Sequence, residues 1–231
     1  MQIIAHRGGA GLGPENTLLA MRRALEHGIR WLELDVYAVD GEVVVFHDLH
    51  LERTTNGSGP LPGSSIAYLR SLDAGAGERI PLLSEVLDLV AGRAGLNVEL
   101  KGGGSAEPTV ALLQRYVAEG RLRWDDLLLS SFDQRELLRA HRLEPQLPVG
   151  VLYAGVTLHW PEDCRALGAR TLNLAEEAVD AAVVDAVHAQ GLQVWVYTVN
   201  DPGEATRLAA LGVDALFSDE PQRLLPLTTE R

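Results

Sequence analysis

Gln193-Val194-Trp195-Val196-Tyr197-Thr198-Val199-Asn200 is a nearly continuous apolar run without the in-and-out alternation of a strand wetted on one face. Strands buried on both faces read this way, as in parallel sheets covered by crossover helices. Apolar residues at helical spacing follow, among them Leu208 and Leu211; Gly212 then stops the helix and a second short apolar run spans 215–219. The same alternation extends back to the start of the chain. Six further runs cover 2–6, 31–37, 96–101, 127–131, 149–153 and 171–174. Between them, Leu18, Met21, Ala24 and Leu25 and later Leu83, Val86, Leu87 and Val90 carry the helical period, and Gly28 and Gly191 sit where left-handed helix caps are expected. Eight strand–helix units in 231 residues predict an α/β protein of one domain, a closed TIM (β/α)8 barrel over 1–231. An open doubly wound sheet is the alternative, disfavoured because the first strand lacks a nucleotide-binding glycine fingerprint.

One interval breaks the rhythm. The Asp40-Gly41 turn signal leads to an extra strand, 43–47, and then to a Gly/Ser/Pro-rich stretch. This predicts a small segment, 48–80, inserted between the second strand and its helix, on the side where barrel enzymes build active sites.

Composition narrows the function. A net charge of −12 argues against a nucleic-acid binder, whose affinity comes from clustered Lys and Arg. Any phosphate should therefore be small and held locally. Cys164 is the only cysteine, which leaves no disulfide or cysteine metal site to consider. No stretch approaches the roughly 20 apolar residues that span a bilayer, and 1–7 lacks a basic region followed by an apolar run. The expectation is a cytoplasmic protein without stable membrane insertion; oligomeric state is left open.

Ionisable residues collect at the C-terminal ends of the early strands: His6 and Arg7 on the first, Glu33 and Asp35 on the second, His47 and Asp48 on the excursion, Glu99 and Lys101 on the third. Glu33 and Asp35 are two apart and so share a strand face, as do Glu99 and Lys101. Three converging carboxylates repel unless a cation or protons intervene, and an oxygen-only set suits Mg2+ or Ca2+ better than zinc. A single strand carboxylate is more often a structural ion-pair partner; three beside two histidines reverse that preference. Arg7 and Lys101, the chain's only lysine, add positive charge at the same point. His6 and His47 are candidates for a general acid and a general base, whereas His27, His50, His141, His159 and His188 lack such a context. Gly8, Gly9, Gly11 and Gly13 form a loop that can aim backbone N–H groups at an anion. Asn16 or Thr17 can cap the following helix, and Glu15, without a capping duty, is a candidate contact to substrate or metal.

In this order and spacing, Ala5-His6-Arg7-Gly8-Gly9, Pro14-Glu15-Asn16-Thr17, Glu33-Leu34-Asp35-Val36, Asp40-Gly41, Val45-Phe46-His47-Asp48, Arg53-Thr54-Thr55-Asn56-Gly57, Ile80-Pro81-Leu82-Leu83, Asn97-Val98-Glu99-Leu100-Lys101, Tyr197-Thr198-Val199-Asn200 and Ser218-Asp219-Glu220-Pro221 resemble the glycerophosphodiester phosphodiesterase family over nearly the whole chain. The resemblance implies metal-dependent hydrolysis of a small-molecule glycerophosphodiester to glycerol 3-phosphate and an alcohol. It further implies His6 and His47 as the catalytic pair, Glu33, Asp35 and Glu99 as ligands of a divalent cation, Mg2+ or Ca2+, and Arg7 and Lys101 as phosphate contacts. Glu15 matches the acidic residue of the family's proline-led motif. The family commonly has tryptophan at the position of Tyr197, while Trp195 lies two residues earlier on the same strand face; both are candidates for an aromatic wall of the substrate pocket. A phospholipase C-like or lysophospholipase D-like activity and a catalytically silent metal or phosphate binder are the competing readings.

Overall fold

The computed structural model describes residues 1–227. Strands β1 (Gln2–Ala5), β2 (Trp31–Val39), β3 (Glu42–Val45), β4 (Gly95–Leu100), β5 (Leu127–Ser131), β6 (Val149–Tyr153), β7 (Ala169–Ala175), β8 (Gln193–Tyr197) and β9 (Ala215–Ser218) form one sheet. Eight of them are parallel neighbours in the order β1-β2-β4-β5-β6-β7-β8-β9, and β9 pairs back onto β1 (Ile4 opposite Phe217), so the sheet closes. A closed parallel barrel rather than an open sheet is the outcome, and β3 lies antiparallel on the upper half of β2 (Val36 opposite Val45).

Helices α1 (Leu18–Glu26), α2 (Ile66–Ser71), α3 (Leu83–Val90), α4 (Ala106–Ala118), α5 (Gln134–Leu143), α6 (Trp160–Ala166), α7 (Ala181–Ala189), α8 (Pro202–Ala210) and α9 (Pro221–Leu224) occupy the connections. Their apolar stripes face the sheet: all four periodic residues of α3, Leu83, Val86, Leu87 and Val90, are buried. Starts follow side-chain chemistry, with Thr17, Asp133, Asp180 and Asp201 accepting backbone N–H bonds as N-caps of α1, α5, α7 and α8. The stops at Gly28, Gly191 and Gly212 take left-handed φ of 85°, 75° and 90°.

Two cores result. One lies between the sheet and its helices. The barrel interior is filled at its base by Ile4, Leu128, Trp195, Ala215 and Phe217, with Trp31 packed edge-on to Trp195 at 5.4 Å. The strands also bury polar residues, including Glu33, Asn97, Ser130, Thr171 and Asn173.

The inserted segment carries its own apolar cluster, in which Leu51, Leu61, Leu69, Leu72 and Ile80 close on Val39, Val44 and Phe46 from the hairpin. The sequence reading anticipated this segment but not α2, which at six residues is too short to display a helical period; Ser65 caps it through Tyr68 N. Among the described residues no helix is long and apolar enough to cross a membrane.

Candidate active site

Strand register builds the site. Asp35 lies opposite Glu99, and Glu33 opposite Asn97, so the pleat aims four polar side chains into the barrel from two adjacent strands. Oxygens of Glu33, Asp35 and Glu99 lie within 4.8 Å of one another. Glu33 and Asp35 are almost wholly buried, at 3% and 1% exposure.

Burial raises the pKa of Glu33 above the usual carboxylate value, and the neighbouring Asp35 and Glu99 push it further. Glu99 is raised for the same reasons, against the pull of Lys101. Lys101 Nζ stands 2.9 Å from Glu99 and 3.7 Å from Asp35, and Arg7 Nε 3.8 Å from Asp35; three clustered carboxylate oxygens of this kind have the chemistry of a hard-cation site. Asn16 holds Asp35, donating from Nδ2 to Oδ2 at 2.9 Å and accepting from Asp35 N. Glu33 accepts from the backbone N–H of Arg7 at 2.7 Å.

Both histidines stand at this face. His6 follows β1 directly and its Nδ1 meets Asp219 Oδ1 at 2.7 Å. Burial opposes its charge, but Asp219 and Glu33 outweigh that and raise its pKa. Asp219 is itself fixed by Asn200, whose Nδ2 donates to Oδ2 at 3.0 Å.

His47 follows β3 and its Nδ1 meets Asp48 Oδ1 at 2.6 Å, while Lys101 Nζ lies 3.2 Å from its Nε2. Burial lowers the pKa of His47, and the Lys101 and Arg7 charges add to that effect against Asp35 and Asp48. Lys101 also donates to Glu99 Oε1 at 2.9 Å. Arg7 donates from NH1 to Glu15 at 2.9 Å, and its Nε is buried without a hydrogen bond. Asn97 Oδ1 is likewise buried and unpaired. Arg7 Nε stands 3.8 Å from Asp35 Oδ2, and Asn97 lies opposite Glu33 in the strand register; buried polar atoms left unpaired are uncommon.

His6, Glu33, Asn97 and Glu99 share one cavity with Phe132, Leu152, Tyr197 and Phe217, giving it a charged wall and an apolar wall. Tyr197 stands in that second wall, edge-on to Phe132, and its hydroxyl donates to Tyr153 O. Trp195 does not reach it: although on the same strand face, it belongs to the barrel base and lines a cavity of about 860 Å³ at the opposite end, with Gln2, Arg30 and Asp214. Barrel enzymes place their chemistry at the C-terminal ends of the strands, so the larger cavity is not the site.

The glycine loop also differs from expectation. Gly9 N and Gly11 N donate to His6 O and Asp219 O, so these N–H groups tie the loop to itself and to the residue after β9 and are not free for an anion. Gly8 is required for space and conformation: its φ is 77°, and a Cβ would stand 2.7 Å from Met21 Cγ. Thr17 caps α1, whereas Asn16 turns to Asp35. Of the histidines set aside, His188 does meet a carboxylate, Asp214 at 2.9 Å, but at the barrel base.

Several site residues were given no role from the sequence. Asp219 is 213 positions from the histidine it orients, so only the closure of β9 onto β1 brings them together. Asn200, Asn97 and Phe132 are equally silent when read one at a time, and Asn16 carries only the signal of a helix cap. Asp48 is next to His47 in the sequence, and that adjacency is the signal that could have marked it; Arg53, five residues further on, has no such signal beyond its quoted motif.

The glycerophosphoryl diester phosphodiesterase family profile matches residues 6–223. A glycerophosphodiester phosphodiesterase of Caldanaerobacter subterraneus subsp. tengcongensis is 33% identical over 97% of the chain and 96% of its own length, and one of Bacillus altitudinis is 34% identical over 99% and 98%. The solved structure of an Oleispira antarctica phosphodiesterase in complex with the product sn-glycerol-3-phosphate superposes with a TM-score of 0.90 at 36% identity, covering 98% of this chain and 96% of that one.

Proposed function

The chain belongs to the glycerophosphoryl diester phosphodiesterase family, and from that premise we propose that the barrel mouth hydrolyses glycerophosphodiesters to sn-glycerol 3-phosphate and an alcohol. The observation that carries this is the meeting of Glu33, Asp35 and Glu99 with two separately oriented histidines and two basic side chains at one end of the barrel. The related Oleispira antarctica enzyme, whose structure holds sn-glycerol-3-phosphate, supports the product.

Glu33, Asp35 and Glu99 are the residues that would hold a divalent cation, and their oxygen-only character fits Mg2+ or Ca2+. When bound, such an ion offsets the negative charge that builds on the phosphate during transfer.

The chain's own groups divide the remaining work. Arg7 and Lys101 bind the phosphate oxygens and stabilise the transition state electrostatically. With His47 Nδ1–H donating to Asp48, its Nε2 presents a lone pair, and the adjacent Lys101 ammonium opposes protonation there. His47 is therefore the base that accepts a proton from the attacking hydroxyl. His6, braced by Asp219 and facing Glu33, favours its charged form and is the acid that protonates the departing alcohol oxygen. Phe132 and Tyr197 shape the apolar wall beside the reacting group and Glu15 steadies Arg7; Trp195 has no part in this. Residues 1–231 then act as one catalytic barrel, with 48–80 as an insertion in it. A cytoplasmic setting agrees with this small-molecule chemistry and with a lone buried cysteine.

The test is release of glycerol 3-phosphate from glycerophosphocholine and glycerophosphoethanolamine, with Mg2+, Ca2+ or chelator. Turnover that chelator stops, and that His6→Ala and Glu99→Ala each remove, is the expected result. No turnover by folded, metal-supplied protein would leave the silent binding reading.

A further inference from the structure

Arg53 lies outside the catalytic roles assigned above, in the inserted segment, with a side chain 48% exposed. Its guanidinium nevertheless makes four contacts to two carboxylates. Toward Glu15 it donates from NH1 to Oε2 at 2.8 Å and from NH2 to Oε1 at 2.7 Å. Toward Asp48 it donates from Nε to Oδ2 at 2.5 Å and from NH2 to Oδ1 at 3.0 Å. Each carboxylate has one further duty: Asp48 holds Nδ1 of His47, and Glu15 holds NH1 of Arg7.

We propose that Arg53 is a positioning residue for the reaction, holding His47 through Asp48 and Arg7 through Glu15 and so making the inserted segment a working part of the active site.

The geometry states what would be lost. Asp48 and Glu15 belong to different connections, the one after β3 and the one after β1, and Arg53 is the cation both face. Without it His47 is the one hydrogen-bond partner left to Asp48 among the described residues, so the imidazole it holds can rotate away from Lys101. Glu15 would be left with Arg7 as its partner, and a tighter pairing there would draw the Arg7 guanidinium from the phosphate. A lysine cannot replace this arrangement, because an ammonium lacks the rigid fork that grips two carboxylates side by side. The anchor itself is supported from behind: Asn56 and Asp73 exchange hydrogen bonds across the segment (Asn56 N to Asp73 O, Asp73 N to Asn56 Oδ1), and Leu51 is buried in the segment's own core.

The inference rests on the proposed activity, and the experiment separates the two. Arg53→Ala, Arg53→Lys, Asp48→Asn and Arg53→Ala/Asp48→Asn are compared with the unchanged enzyme by kcat and KM on glycerophosphocholine with Mg2+, by thermal midpoint, and by the ring nitrogen NMR signals of His47. We expect Arg53→Ala to lower kcat by about 10- to 100-fold, the usual cost of losing a partner that orients a ligand or catalytic group. The midpoint should move by no more than about 4 °C. Lysine should restore only a small part of the rate, free guanidinium in solution should rescue the alanine variant, and the double variant should be no slower than the slower single one. The His47 Nδ1 signal should shift whether or not the protein turns over substrate. An unchanged Nδ1 signal, kcat within about twofold of the parent, or multiplying losses in the double variant would each overturn the role. A shifted signal in a protein whose unchanged form releases no glycerol 3-phosphate would instead retain the positioning and remove the activity on which its purpose depends.

Discussion

At the scale of single residues, the site separates groups by what each stands beside. His6 and His47 are alike in the sequence, yet one is braced by Asp219 beside Glu33 and the other is pressed against an ammonium. Replacing either by alanine should lower kcat by about 10²- to 10⁴-fold. Asp219→Asn should cost about 10- to 100-fold with little change in KM, because it disturbs orientation and not binding; both losses are read from initial rates. Glu33 and Glu99 make a second prediction. With both pKa values raised by burial and mutual repulsion, the metal-free folded protein holds protons that the unfolded chain gives up near 4.5. Stability from this source is complete below 4.5 and is lost as pH rises through the elevated folded values. The lowered carboxyls of Asp48 and Asp219 act in the opposite sense but fall below 3.8, outside that window; within it His47, lowered from 6.5, opposes the two glutamates, and His6, raised from 6.5, acts with them. The thermal midpoint of chelator-treated protein should therefore fall between pH 5 and neutrality, and Glu33→Gln should flatten the slope. A midpoint that rises over this range would contradict the assignment.

At the scale of elements, the barrel keeps its foundation and its chemistry in different layers, and substitutions should report them separately. Gly95 faces Trp31 so closely that a Cβ would lie 2.4 Å from the indole. Gly95→Ala should cost about 1–3 kcal/mol of stability by overpacking while the folded fraction keeps its kcat, since neither Gly95 nor Trp31 lines the cavity that holds His6 and Glu99. Leu61→Ala should behave differently. It opens a hole in the small core of the inserted segment, costs about 2–5 kcal/mol, and loosens the segment that carries Arg53. We expect faster proteolytic nicking within 48–80 together with reduced kcat, although every catalytic side chain is intact.

At the scale of the whole molecule, the acidic cluster links fold and site: β2 and β4 supply all three carboxylates, which could hold a divalent cation, and their repulsion is a cost built into the barrel. Mg2+ or Ca2+ should raise the thermal midpoint, with about 2.7 kcal/mol gained at a hundredfold excess over Kd, and Glu99→Ala should abolish the rise. Much of this organisation was legible in the chain. Continuous apolar runs marked all eight parallel strands because parallel strands are wetted on neither face, and the pairing of Glu33 with Asp35 followed from the two-residue pleat, a property of the strand itself. The insertion was legible as a broken rhythm, but α2 was not, being shorter than the period that would reveal it. The same pleat rule placed Trp195 with Tyr197 and could not say that one lies at the base and the other at the mouth, because depth in a barrel depends on strand tilt and neighbours. Local spacing and periodicity thus determined the barrel, its catalytic end and the chemical types gathered there. The partner of each group was decided only by closure of the sheet and folding of the insertion, which bring Asp219 to His6 and Arg53 to Asp48 and Glu15; contacts between distant segments are set by the packing of whole elements, and no local pattern in the sequence encodes them.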